Sequence, residues 1–290
     1  MTRRWLVATL AMLAAARASA ALHVVIVEGL AGEAVYATQI ATQTAAIRKA
    51  VAYLADAQHV YVLSGPSATQ PAVRTLFKSL ASAALANDRL ALYLIGHGSF
   101  DGTDYKFNLP GPDLTGTDLK VLLTSFPGRD QLVVATGSSS GALQDLLKST
   151  TRVVMTGTRS GAERNATHFG TEFAAALADA AADTDKNGSL SAQEAFDFAV
   201  RGVKGFYERE VRLASEHAQL SGEHAARFVV ARLGVVGTGV PVADANQAER
   251  ERINNALDAL RLRKTALPED QYNTKLEALL VELATLDAVQ

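Results

Sequence analysis

The sequence predicts a doubly wound α/β fold with a mainly parallel sheet, and three observations predict it. Short β-branched runs bounded by glycine alternate with longer Ala/Leu stretches at helical spacing. The short runs are unbroken apolar strands, so both sheet faces must be covered, which in an alternating chain means parallel strands with helices on either side. A 290-residue chain that is 48% apolar and 20% charged has ample material for such a core.

Five strands are read in order: His23 to Val27, His59 to Leu63, Leu90 to Ile95, Leu132 to Ala135 and Arg152 to Met155. The first is stopped by Gly29 and Gly32, the second by Ser64-Gly65-Pro66, the third by Gly96-His97-Gly98, and the last two by turns rich in Gly, Ser and Thr. Helices are expected between them at about 34–55, 70–86, 116–125 and 140–148. From about Phe169 to residue 232 the pattern is read as helical, with one interruption at 183–190. Gly237, Gly239 and Pro241 among small residues mark 234–246 as a linker. Two helices follow in 247–290. Ile253, Leu257 and Leu260 stripe the first, and Leu276, Leu279, Leu283 and Leu286 stripe the second, at spacings of three and four. Pro268 followed by Glu269 and Asp270 marks the start of the second.

Residues 1–20 have the three parts of a removable export signal. Arg3-Arg4 is a basic start, Trp5 to Ala16 an uncharged apolar run, and Ala18-Ser19-Ala20 a small-x-small cleavage pattern. A membrane anchor would need about 20 consecutive apolar residues, more than this run supplies before Arg17. The predicted mature chain, from residue 21, is expected to be periplasmic or secreted. It carries 25 basic and 30 acidic residues, a net of −5, which gives no field for gripping nucleic acid. The absence of cysteine excludes disulfides, thiolate metal sites and a cysteine nucleophile.

In an open parallel sheet ligands sit at the carboxyl ends of the strands. Two turns there carry chemistry. His97, in Gly96-His97-Gly98-Ser99, follows the third strand, where flanking glycines let the backbone approach a substrate closely. Ser138, in Ala135-Thr136-Gly137-Ser138-Ser139-Ser140-Gly141, follows the fourth. A His-Gly turn followed one strand later by a nucleophile turn of the form Cys-x-Ser-Gly resembles the caspase-hemoglobinase clan of cysteine peptidases, and within it bacterial members of the legumain-like family. The resemblance extends through Gly29-Leu30-Ala31-Gly32-Glu33, Gly111-Pro112-Asp113-Leu114, Thr158-Arg159-Ser160-Gly161, Glu163-Arg164-Asn165 and Ser215-Glu216-His217-Ala218, most of residues 22–235. It implies a caspase-like fold over 21–233, His97 as the general base and Ser138 at the position of the nucleophilic cysteine.

The substitution matters chemically. A thiol is a few per cent thiolate at neutral pH, whereas a serine hydroxyl needs a base oriented by a third group. Asp101, Asp104 and Asp113 are the acids near enough in sequence to orient His97. The expectation is therefore a pseudo-peptidase acting as a binding or scaffold protein on a peptide or protein partner. The alternative is a serine peptidase or esterase using Ser138 and His97.

A second pattern is independent of the first. Asp183, Asp185, Asn187, Gly188 and Glu194 occupy positions 1, 3, 5, 6 and 12 of a calcium-binding EF-hand loop, with Ser189 and Ser191 at the remaining ligand positions. Asp183, Asp185 and Asn187 would supply side-chain oxygens, Ser189 its carbonyl, Ser191 an oxygen directly or through water, and Glu194 two oxygens to a structural Ca2+. Ser191-Ala192-Gln193-Glu194 also reads as a capping box opening a helix. His168, His217 and His224 have no paired metal spacing.

Overall fold

Leu22–Glu28 forms β1 and places Val24, Ile26 and Leu22 on one face and Val25 and Val27 on the other, the period-two consequence of an extended chain. The structure, a computed structural model, describes residues 20–128, 130–233 and 267–287, with positions 249, 252, 253, 256, 257, 260 and 264. The signal segment up to residue 19 and the linker at 234–246 lie outside the described residues. Those up to Leu233 form one compact unit and those beyond it a second.

In the first unit, α1 (Ala34–Val51), β2 (Val60–Leu63), α2 (Gln70–Ala83) and β3 (Arg89–Ile95) follow β1. A three-stranded antiparallel sheet comes next: β4 (Gly98–Phe100), β5 (Tyr105–Phe107) and β6 (Leu114–Thr115). Then come α3 (Gly116–Ser125), β7 (Asp130–Ala135), α4 (Leu143–Leu147), β8 (Arg152–Thr156) and α5 (Phe169–Ala176). The unit closes with β9 (Ser189–Ser191), α6 (Ala192–Arg209), β10 (Gln219–Ser221) and β11 (Val229–Arg232).

The main sheet runs β10-β8-β7-β3-β1-β2, parallel except for β10, which pairs antiparallel with β8 at one edge. Two apolar clusters sandwich it. One joins its first face to α1, α5 and α6 through Ile47, Phe169, Phe173 and Val203, and the other joins the opposite face to α2, α3 and α4 through Phe77, Leu119 and Leu143. This is the α/β class the alternating pattern predicts. The chain steps from β1 outward to β2 and then back across β1 to β3, so the strand order reverses between β1 and β3.

Three sequence expectations change, and one sheet is added to them. The helix read at 140–148 is a 3-10 turn at Ser140–Ala142 followed by a single short α-helix. His59 belongs to a 3-10 turn, Ala57–His59, and the strand begins at Val60. The region read as helical to residue 232 is helical only to Ala176 and over Ala192–Arg209; its end is β10 and β11. Both are short, of three and four residues, and β10 is mostly polar, so their pairing with β8 and β9 makes them strands. The antiparallel β4-β5-β6 sheet leaves no signal in the sequence, because strands of two or three residues give no periodicity to detect.

The second unit contains α7 (Glu269–Asp287), which begins directly after Pro268 as the sequence predicts. Its predicted stripe of Leu276, Leu279, Leu283 and Leu286 is half-buried, while Leu280 and Val281 are exposed. Ile253, Leu257 and Leu260 are buried, and Arg252 pairs with Glu282 of α7. No described helix is long and apolar enough to cross a membrane.

Candidate functional site

The site begins where three glycines let strand ends touch. Gly29 follows β1, Gly96 follows β3, and Gly137 stands one residue beyond Thr136 at the end of β7. A Cβ on Gly96 would lie 2.8 Å from the Gly29 Cα, and one on Gly137 would lie 2.1 Å from the Gly96 carbonyl oxygen. Backbone thus packs on backbone at the carboxyl edge of the sheet, beside the reversal in strand order. The Gly29 amide donates to the Ile95 carbonyl at 2.8 Å, and the Thr136 amide to that of Leu94 at 3.1 Å.

His97 projects from this edge. Its carbonyl accepts from the Asn108 amide at 3.1 Å, which fixes its backbone against the small antiparallel sheet. Its ring meets the Tyr36 ring edge to face, with centroids 4.6 Å apart. Tyr36 and Gln39 of α1, Gly96, His97, Gly137 and Thr167 line a cleft of about 30 Å³. That holds about one water and is far below the roughly 300 Å³ of a preformed small-molecule pocket.

Counting on from the Leu94–Ala135 pair of the parallel ladder, His97 and Ser138 stand at matching positions just past the Gly96–Gly137 contact. Ser138 is only 5% exposed and is not among the residues lining the cleft. The next residue has the unusual conformation. Ser139 is fully buried in the left-handed region, φ 58° and ψ 5°, and its hydroxyl has no hydrogen-bond partner among the described residues. It is the central residue of Gly137-Ser138-Ser139-Ser140-Gly141, a G-x-S-x-G spacing between strand and helix. Full burial keeps its hydroxyl from any substrate.

Glu163 latches this turn. Its carbonyl accepts from the Ser139 amide at 2.7 Å, and its carboxylate accepts from the Arg159 amide at 2.8 Å, the His217 amide at 3.0 Å and the His217 Nδ1 at 2.6 Å. Burial works against its charge, but these donors outweigh it and hold the carboxyl below its ordinary value. Glu163 and His217 were read as part of a resemblance; only the structure shows them bonded to each other.

Among the described residues, none of Asp101, Asp104 and Asp113 hydrogen-bonds the His97 ring, although Oδ1 of Asp104 is buried without a partner. Asp101 accepts from the Thr103 and Asp104 amides and pairs with Lys106 at 2.9 Å. Asp104 accepts from the Thr117 amide, and Asp113 from that of Leu109. They form turns and a helix start, as aspartates in loops commonly do.

The acidic loop lies apart from the cleft in sequence. Ligand atoms of Asp183, Asp185 and Glu194 lie within 4.8 Å of one another. Asp183 is buried and accepts from the Gly188 and Asn187 amides at 2.9 and 3.2 Å. Burial and the neighbouring Glu194 and Asp183 carboxylates push Asp185 above its ordinary value, against a lowering bond from the Asn187 amide. The capping box is also formed. The Ser191 hydroxyl accepts from the Glu194 amide while Glu194 Oε2 accepts from the Ser191 amide, and Glu194 Oε1 reaches the Thr184 amide. Ser189–Ser191 pairs antiparallel with β11, and Leu190 is buried in the core. Of the other histidines, His168 stacks on Phe206 and His224 contacts Arg227.

No protein-family model matches the chain, and no curated protein matches it. Among solved structures it is similar to the crystal structure of drICE, at 11% sequence identity over 73% of this chain and 91% of that one, with a TM-score of 0.44.

Proposed function

We propose that residues 21–233 form a caspase-like domain, related to the legumain-like peptidases, that has lost peptidase chemistry and binds an extended peptide or protein segment. One observation carries the reading. The position expected to hold the nucleophilic thiol is a serine, 5% exposed, in a chain without cysteine. None of Asp101, Asp104 and Asp113 bonds the His97 ring among the described residues. A serine hydroxyl without an oriented base does not attack an amide at a useful rate. What remains is a small cleft with an aromatic wall at Tyr36 and a half-buried, polar His97, which a chain lying along the surface could contact. The alternative, hydrolysis by Ser138 and His97, has the matching register in its favour and the burial of Ser138 against it.

An unstructured peptide mixture incubated with the protein is expected to bind without being cut. Mass spectrometry of the mixture checks this, and new fragments absent from a His97→Ala control would overturn it.

Export through removal of residues 1–20, to the periplasm or beyond, is part of this proposal. The C-terminal unit supplies a second contact surface, in which Leu280 and Val281 of α7 offer an exposed apolar patch to a protein partner.

The acidic loop is proposed to hold Ca2+ as a structural ion. Asp183, Asp185, Asn187 and Glu194 side chains, the Ser189 carbonyl and Ser191 would hold it, and its charge would offset the repulsion that now raises Asp185. A hard cation with oxygen ligands fits this donor set, which has neither sulfur nor nitrogen. A hundredfold excess of calcium over Kd is expected to add about 2.7 kcal/mol, raising Tm by roughly 5–10 °C for a unit of this size. Glu194→Gln is expected to abolish the rise. An unchanged Tm at millimolar calcium would leave only the capping box.

A further inference from the structure

The amino-terminal end of β1 meets an acid that the cleft does not use. Asp88 precedes β3 and is 4% exposed. Its Oδ2 accepts from the Leu85 amide at 2.8 Å and lies 3.2 Å from Nε2 of the buried His23. Its Oδ1 accepts from one donor among the described residues, the backbone amide of Ala21, at 2.9 Å. Ala21 is held on its other side as well, where its carbonyl accepts from the Arg89 amide at 2.8 Å. Burial alone would push Asp88 up, but the donors of Leu85, Ala21 and His23 outweigh it and the carboxyl lies below its ordinary value. A buried, ionised carboxylate with one oxygen on a single neutral N–H is a site that gains from a stronger donor.

Ala21 is not an arbitrary residue. It directly follows Ala18-Ser19-Ala20, the small-x-small pattern at the end of the apolar leader. In the structure exposed Ala20 gives way to half-buried Ala21 at this bond.

We propose that Asp88 is the receptor for the mature amino terminus, so that removal of the leader installs an ion pair on this buried carboxylate at the start of β1. The inference rests on the leader reading above. Hydrolysis breaks the Ala20–Ala21 peptide bond. Water supplies hydroxide to the Ala20 carbonyl carbon and a proton to the Ala21 nitrogen, which takes a further proton from solvent to become an ammonium at neutral pH. That nitrogen already stands 2.9 Å from Asp88 Oδ1, so no rearrangement of the strand is needed. A chain cut one residue earlier would keep a neutral amide at the site and carry its charge on exposed Ala20. The ion pair thus reads the cleavage position to within one residue.

The test compares three forms of the folded protein: one beginning at Ala21, one beginning at Ala20, and the Ala21 form acetylated at its amino terminus. The free Ala21 form is expected to melt about 3–6 °C above the other two, and this gap is expected to vanish in Asp88→Asn. Equal melting of the free and acetylated Ala21 forms would overturn the proposal. That comparison stands without the substitution, so a poorly folding Asp88→Asn does not remove it. The intact mass of the exported protein tests the leader reading separately. A mass beginning at Ala21 is expected, and one beginning elsewhere would overturn that reading together with the proposal.

Discussion

Gly137→Ala is expected to destabilise the protein by about 3 kcal/mol or more, lowering Tm by roughly 6–12 °C. The added methyl would stand 2.1 Å from the Gly96 carbonyl oxygen and 3.2 Å from both the Gly96 carbonyl carbon and the Gly98 amide nitrogen. All three are backbone atoms of the chain carrying His97, so nothing flexible can move aside. Relief requires the ends of β3 and β7 to separate, which breaks the register that levels His97 with Ser138. Chemical denaturation of the variant measures the loss. A change within about 0.5 kcal/mol would mean that the strand ends are not in contact. Peptide binding is expected to fall with stability, because the same displacement distorts the groove lined by Gly96, His97 and Gly137.

The second large effect is expected at Glu216, 2% exposed, which is the anchor of α5. Its two oxygens accept from the His168 amide at 2.7 Å, the Phe169 amide at 3.0 Å and the Tyr207 hydroxyl at 3.2 Å. The first two are among the unpaired amides of a helix start, where a carboxylate is favoured. Glu216→Ala strands the two amides, while the Tyr207 hydroxyl keeps the Ser215 hydroxyl at 3.0 Å, and it is expected to cost about 3–4 kcal/mol. The pH dependence has a definite sign. Burial raises the Glu216 carboxyl above its ordinary 4.5, the three donors pull it back only in part, and Glu163 adds to the rise. The folded state therefore holds this proton more tightly than the unfolded chain. Its contribution is fully present below about pH 4.5 and is lost as pH rises through the folded value. The variant is expected to lack that component of the stability-versus-pH curve, and melts across the acid range check it. An unchanged curve in Glu216→Ala would remove the assignment.

The sheet was legible because its strands are uniform. Val24 to Val27, Leu90 to Ile95 and Leu132 to Ala135 are apolar on both faces, and two-sided burial is what a parallel sheet requires. The segment after Arg209 was not legible in the same way. β10 and β11 draw their conformation from partners in β8 and β9, distant in sequence. His97 and Ser138 could be found because strand ends and glycines announce turns. Tyr36 could not be, since an aromatic on a helix looks like any core residue until the helix is set beside the strand end. Glu163 and His217 are 54 residues apart, and no local pattern ties an acid to a histidine at that distance. The G-x-S-x-G spacing around Ser139 is local and legible, but spacing alone does not show that its central hydroxyl is fully buried.

The central claim is that this turn carries no activated serine, and the most direct measurement is labelling of the native protein with a fluorophosphonate, which reacts only where a hydroxyl is already a nucleophile. No label is expected on the folded protein, because Ser138 is nearly buried and no carboxylate among the described residues bonds the His97 ring. Labelling that disappears in Ser138→Ala and in His97→Ala would contradict it and make the protein a serine hydrolase.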